Sequence, residues 1–352
     1  MPLDDARRVV EAAIAAHTFP AAAVEAGGSA GVLWAGSFGR LTFDADALAA
    51  LDDTIFDLAS LTKPLATGSA AMEMVRTGAL ALDAPVSGFF DEWRGIEREA
   101  VTVRDLLEHA SGLPARLVDQ PPATRREFEH DISTIALEYP PRSRSIYSDL
   151  GFILLAFLLE RIAGAALPSL FDPVLAPLRV APPEYLGFEP PPPLRGRCAP
   201  TLPMDVDPRR GRRLAGEVHD NYAAALGGAA GHAGLFGTAA GVGAFARAFL
   251  RAARGLDGAP FSTALVPLFV ARSGVPGSSR ALAWDTMLPT SSCGTRMSAQ
   301  AFGHVGYTGT SVWIDPARDR YFVLLTNRAC GGGTLEEMRA ARRAFHDALG
   351  DL

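Results

Sequence analysis

Residues 54 to 78 read TIFDLASLTKPLATGSAAMEMVRTG. A short extended lead-in runs into a helix that stops at Gly78. Pro64 falls inside the first turn, where a missing N–H is tolerated. Ser60 and Lys63 are three residues apart, so on a helix they share a face and hydroxyl can meet amine. A serine becomes a nucleophile when a base lies beside it, and a neutral amine can serve. A helix N-terminus also turns backbone N–H groups toward an anion formed there. Ser-x-x-Lys alone is a weak signal. Lys63 is, however, the only lysine in a chain with 33 Lys+Arg. Arginine stays charged, whereas a buried lysine can shift its pKa and move a proton. That makes the sole lysine a candidate for chemistry.

Outward from this stretch, residues 3 to 17 read as an amphipathic helix with Val9, Val10 and Ile14 on one face. Apolar runs around Ala21 to Glu25 and Val32 to Gly36, split by Gly27, Gly28 and Gly31, suggest a hairpin. From 79 to 225 the pattern is mostly helical with Pro-rich connections. Thr102 with Asp105 three residues on is a capping-box variant. Ser148 to Ile162 is a second strong helix, and 189 to 197 and 209 to 213 read as loop. Beyond Gly227 come a helix over 239 to 253, strand-like runs at Ala281 to Leu288, Ala301 to Gly306, Ser311 to Asp315 and Tyr321 to Thr326, and a closing helix over 335 to 349. The expected organisation is a discontinuous α/β domain (1 to 78 and 226 to 352) with a helical insertion (79 to 225).

Composition narrows the function. Of 352 residues, 48% are hydrophobic and 20% charged, which excludes a disordered chain. A net charge of -6 argues against nucleic acid as a partner. Cys198, Cys293 and Cys330 are scattered and odd in number, so neither a disulfide framework nor a zinc site is expected. The N-terminal stretch lacks the apolar core of a signal peptide, and no run is long enough to span a bilayer. The expectation is a cytoplasmic protein with no membrane partner. Oligomeric state is not legible.

Two further clusters could join Ser60 and Lys63. Tyr147-Ser148-Asp149 opens an apolar helix. Tyr147 beside a cationic lysine could act as a base, although Ser148 or Asp149 reads equally as a helix N-cap and Tyr147 as a hydrophobic staple. Phe302 to Ser311 reads FGHVGYTGTS. Its alternating glycines admit a close ligand or backbone, or simply make a bulge. His219-Asp220 and His232 are too far apart for a local metal motif. His109 precedes a helix stop and reads as a cap for carbonyls. Trp284 and Asp285 could line a cleft or fill the core.

SLTK, YSD and HVG, in that order and spacing, resemble the serine β-lactamase and penicillin-recognising superfamily, most of all the class C β-lactamases and their esterase relatives. FDLASLTKPLAT, TVRDLLEHASGLP, YSDLGFILL and FGHVGYTGTSVWIDP are similar to blocks of the same proteins. The resemblance implies an antiparallel sheet flanked by helices, with an inserted all-helical region. It makes Ser60 the acylated nucleophile, Lys63 the residue that takes or relays its proton, and Tyr147 the general base and then acid. Backbone N–H groups of Ser60 and Tyr307 would form the oxyanion hole. Asp149 falls where the family has Asn. His304 falls where it has the Lys of Lys-Thr-Gly, followed by Val305 and Gly306. These four positions would contact substrate, with no metal or cofactor.

The departures carry information. His304 is mostly neutral at pH 7, Val305 has no hydroxyl, and Asp149 adds negative charge. All three disfavour an anionic β-lactam and favour a small neutral ester or amide. The leading expectation is a serine hydrolase, esterase ahead of β-lactamase, with peptidase or acyltransferase behind. A non-catalytic binding or sensor domain on the same fold is the alternative. A metallohydrolase built on His219 and His232 is the third option.

Overall fold

The computed structural model describes residues 2–117 and 121–352. The chain starts with helix α1 (Pro2–Ala15) and a hairpin of β1 (Ala21–Gly28) and β2 (Gly31–Gly39). A short β3 (Phe56–Asp57) precedes a 3₁₀ turn at Ala59–Leu61, a π-helical turn at Lys63–Gly68 and α2 (Ser69–Arg76). The helix expected from 54–78 therefore begins as two non-α turns around the Ser60–Lys63 pair. Pro64 has no N–H for a regular ladder there, and π turns are common at functional sites.

Helices α3 (Ile96–Glu99), α4 (Val103–Leu107), α5 (Arg125–Thr134), α6 (Asp149–Ala163) and α7 (Leu167–Leu175) follow. Thr102 and Asp105 close the capping box on α4. Ser148 caps α6 through its hydroxyl, which accepts the Gly151 N–H at 3.2 Å. Then come β4 (Leu186–Phe188), α8 (Asn221–Ala225), β5 (Leu235–Gly237), α9 (Ala239–Ala253) and α10 (Leu265–Val270). The chain ends with β6 (Asp285–Thr286), β7 (Phe302–Val305), β8 (Ser311–Asp315), β9 (Arg320–Thr326) and α11 (Leu335–Leu349).

Six strands form one antiparallel sheet in the order β2-β1-β9-β8-β7-β6. Period-two alternation sends its two faces into different layers. Ala22, Val24, Phe322, Leu324 and Trp313 pack on Val10, Met338 and Phe345 of α1 and α11. Ala21, Ala23, Val323, Leu325, Val312 and Ile314 face Val242, Phe245 and Phe249 of α9, in a core that continues through Leu106 of α4 and Phe152 and Leu155 of α6. Burying each valine, leucine, isoleucine, phenylalanine or methionine among them stabilises the fold by about 1.5–3 kcal/mol.

Two local expectations need correction. The strand expected over Ala281 to Leu288 shrinks to Asp285–Thr286, because Ala281 N–H turns back to Trp284 O and Ala283, at φ +70°, donates to Leu107 O instead. Within the region expected to be mostly helical, β4 joins β3 and β5 in a second sheet, order β3-β5-β4, and Pro192–Arg197, expected as loop, is a 3₁₀ helix. Segments of two or three residues are too short to show a period. Trp284 is core, edge-on to Phe302 at 5.2 Å. Cys198, Cys293 and Cys330 are free and buried. Among the described residues no single helix is long and apolar enough to cross a membrane.

Candidate active site

The turn that carries Ser60 is built by its neighbours. Ala59 sits at φ +46°, a left-handed conformation costly for a residue with a Cβ. Asp57 holds it there: one carboxylate oxygen accepts the Ala59 N–H at 2.8 Å and the other the His219 N–H at 2.6 Å. Burial pushes the Asp57 carboxyl up to about 6. Leu58 N–H donates to Leu235 O at 2.9 Å, and Thr62 Oγ1 accepts the Leu235 N–H at 3.0 Å while donating to Ala59 O at 2.6 Å. Strand β5 thus clamps both sides of Ser60.

Lys63 is fully buried, and its Nζ donates to Ser60 Oγ at 3.1 Å, to Asp149 Oδ1 at 2.7 Å and to His232 O at 3.2 Å. Burial, the largest influence, lowers its pKa, but Asp149 and Tyr147 together outweigh it and hold the ammonium above its ordinary value. Asp149 shows the converse. Burial would raise it, and Lys63, His232 and Arg116 hold it below the usual carboxylate range. Both its oxygens are engaged, the second by Arg116 Nη1 at 2.9 Å. Its charge therefore meets protein cations and does not stand open to a substrate.

The Tyr147 ring centroid lies 4.6 Å from Lys63 Nζ and 5.1 Å from the Arg280 guanidinium. The His109 and His304 rings lie 4.7 and 6.0 Å away. His109 does not cap carbonyls with its ring as expected; its Nδ1 accepts the Ser148 N–H at 3.0 Å, which fixes the start of α6 beside the tyrosine. His304 is buried, and its Nδ1 faces Val305 O at 2.9 Å, so that nitrogen carries the proton and Nε2 is an acceptor. Burial, then Arg280 and Lys63, keep both imidazoles well below the ordinary value and hence neutral at pH 7.

The fourth wall is the turn after β7. Thr308 Oγ1 donates to Asp57 O at 2.7 Å and Thr310 Oγ1 to Leu58 O at 3.0 Å. Gly306 has to be glycine, since a Cβ there would lie 2.6 Å from Leu58 O. Arg328 Nη2 donates to Tyr307 O at 2.8 Å, and Arg342 Nη2 to Gly306 O at 2.5 Å. Two arginines thus hold the carbonyls of this turn while its backbone lies against the Ser60 turn. The Tyr307 side chain is half exposed, with its ring stacked on His219 at 5.4 Å.

Ser60, Lys63, Tyr147, Asp149, His304 and Gly306 converge in this way. Sequence reasoning missed Arg116, Arg280, Arg328, Arg342 and the role of His109. Arginines are so common here that none carried a local signal. The His219–His232 pair is split: His232 Nε2 bonds Asp220 Oδ1 at 2.8 Å, and burial holds His219, stacked on Tyr307, down at about 4. Among the described residues no group of three His, Cys, Asp or Glu is arranged to hold a metal.

A family model described as Beta-lactamase matches residues 6–346. A putative D-alanyl-D-alanine carboxypeptidase of Escherichia coli K12 is 31% identical over 307 residues, 78% of this chain and 69% of that protein. One from Salmonella gallinarum is 30% identical over 319 residues, 82% of this chain and 72% of that protein. Among solved structures, EstCE1, a hydrolase with promiscuous acyltransferase activity, superposes with a TM-score of 0.77 at 20% identity, covering 99% of this chain and 98% of that one. A penicillin-binding protein homologue from Caulobacter crescentus gives 0.75 at 21% identity, covering 99% and 98%. These structural likenesses speak to the fold alone, whereas the family match spans nearly the whole sequence. The chain belongs to the beta-lactamase family, as a serine hydrolase.

Proposed function

We propose that this enzyme cleaves a small carboxylic ester or amide through an acyl-enzyme on Ser60, with esters ahead of β-lactams. The observation that carries the reading is the Ser60 hydroxyl 3.1 Å from a fully buried lysine that is itself bound to Asp149. Because Lys63 is held as the ammonium, it does not accept the serine proton in the resting state. That task falls to Tyr147, whose ring stands against Lys63 and Arg280. Ser60 Oγ attacks the carbonyl carbon, the oxyanion rests on the N–H groups of Ser60 and Tyr307, and Tyr147 passes the proton to the leaving alcohol or amine. Water then repeats the cycle and releases the acid. The neutral His304 and the hydroxyl-free Val305 favour a neutral substrate.

One observation supports a second reading. Arg280 brings a fixed positive charge beside Tyr147, where a substrate's terminal carboxylate would find a partner. That suits a carboxypeptidase, the activity named for the Escherichia coli relative. Intact mass after exposure to an alkyl fluorophosphonate tests the shared chemistry: one adduct on the wild type and none on Ser60→Ala is expected. An unlabelled wild type would leave a binding domain as the reading. A panel of p-nitrophenyl esters, nitrocefin and acyl-D-alanine peptides, free and amidated at the C-terminus, then separates the substrates. Preference for the free peptide, lost in Arg280→Gln, would overturn the ester reading.

A further inference from the structure

Asp149 stands where the resemblance leads one to expect a neutral Asn, so its charge needs a counterpart. Arg116 supplies it from the segment after α4. Its Nη1 donates to Asp149 Oδ2 and to Asp220 Oδ2, both at 2.9 Å, and its Nη2 donates to Asn221 Oδ1 at 2.8 Å. The guanidinium lies 4.0 Å from the Tyr222 ring centroid. Asp149 N–H donates to Ala115 O at 3.0 Å, so the two backbones are tied as well. Asp220 in turn caps α8 through the Ala223 N–H at 2.8 Å and binds His232 Nε2, and the His232 carbonyl accepts from Lys63 Nζ. The contacts close a ring: Lys63, Asp149, Arg116, Asp220, His232 and back to Lys63. Two fixed cations and two carboxylates alternate around it. Such a ring is over-determined in a way that a surface arginine is not.

We infer that Arg116 is a positioning residue for the Ser60–Lys63 pair: by neutralising the outer oxygen of Asp149, it leaves Lys63 shared between Asp149 and Ser60. The inference rests on the acyl-enzyme reading above. Without Arg116, Asp149 and Asp220 lose the nitrogen that binds both, and the full Asp149 charge falls on Lys63. The ammonium then turns from Ser60 toward the carboxylate. Neutralising Asp149 at the same time removes that pull.

The test uses Arg116→Met, Asp149→Asn and the double variant, read by fluorophosphonate labelling rate and by ester hydrolysis. Arg116→Met is expected to lower kcat and labelling about 100-fold, with KM within about threefold. The double variant is expected to recover to within about tenfold of wild type, against the order of independent losses. A double variant no faster than Arg116→Met, or an Arg116→Met enzyme as fast as wild type, overturns the inference. Should Arg116→Met fail to fold, a folded double variant with near-wild-type labelling supports it, and an inactive one refutes it. If the wild type itself takes no adduct on Ser60, the acyl-enzyme reading fails first; if the wild type labels and Arg116→Met labels equally fast, only the role of Arg116 falls.

Discussion

Replacing Gly306 by alanine should strike the reaction harder than the fold. The backbone of Gly306 is not in the left-handed region, so space alone opposes the new methyl group. Its Cβ would lie 2.6 Å from Leu58 O and 2.2 Å from Thr310 Oγ1, where ordinary contact begins at 3.4 Å. Thr310 can rotate, but only by giving up its 3.0 Å bond to the same Leu58 carbonyl. The carbonyl itself cannot move freely, because Leu58 is clamped to β5. The turn carrying Tyr307 must therefore retreat by about 0.8 Å from the Ser60 turn. A misplacement of about 1 Å in a catalytic constellation costs on the order of 100-fold in rate, or about 3 kcal/mol in the transition state. The expected result is a kcat for p-nitrophenyl ester hydrolysis lower by about 100-fold. The thermal midpoint should fall by only a few degrees, in keeping with a 1–2 kcal/mol loss in a protein of this size. A Gly306→Ala enzyme within about threefold of wild-type kcat would refute the claim that this turn positions the oxyanion hole.

Lys63→Arg should abolish phosphonate labelling: the fully buried site has no room for a guanidinium, which cannot bind Ser60 Oγ, Asp149 Oδ1 and His232 O as the compact ammonium does. Labelling at the wild-type rate would show that the ammonium is not needed to hold Ser60. Glu25 and Asp57 should make stability depend on pH. Burial raises the Glu25 carboxyl from 4.5 to about 7 and the Asp57 carboxyl from 3.8 to about 6. Each folded value lies above its unfolded one, so the stability they contribute is complete below pH 4 and is lost as pH rises through 6 and then 7. The thermal midpoint should thus be lower at pH 8 than at pH 5.5. Glu25→Gln, which keeps an acceptor for the Tyr321 hydroxyl now at 2.7 Å, should flatten that slope by up to about 3 kcal/mol. A slope unchanged in the variant would place the pH dependence elsewhere. Because His109 and His304 are held neutral, the acid side of the kcat/KM profile should show no inflection near 6.5. An inflection lost in His304→Gln would contradict the buried, neutral imidazole.

Some of this protein could be read without its structure because the information is local. Ser60 and Lys63 are one helical turn apart, and such a spacing specifies proximity whatever the rest of the chain does. The caps at Thr102 and Ser148, the hairpin glycines and the alternating strands near the C-terminus are likewise properties of a few consecutive residues. Within such a window Asp149 was legible as an N-cap, as a charge that could hold Lys63 protonated and as one that would repel an anion. Tertiary structure decided among these: it set Lys63 on one oxygen and, from a segment no local reading linked to it, Arg116 on the other. It also chose, from many chemically identical arginines, the ones that hold Tyr147 and the 306–310 turn. It drew the three-residue strand at Leu186–Phe188 onto the strand that clamps Ser60. Pairings of this kind join positions up to hundreds of residues apart, and their strength comes from burial. Burial is a property of the packed chain, so only the fold could assign them.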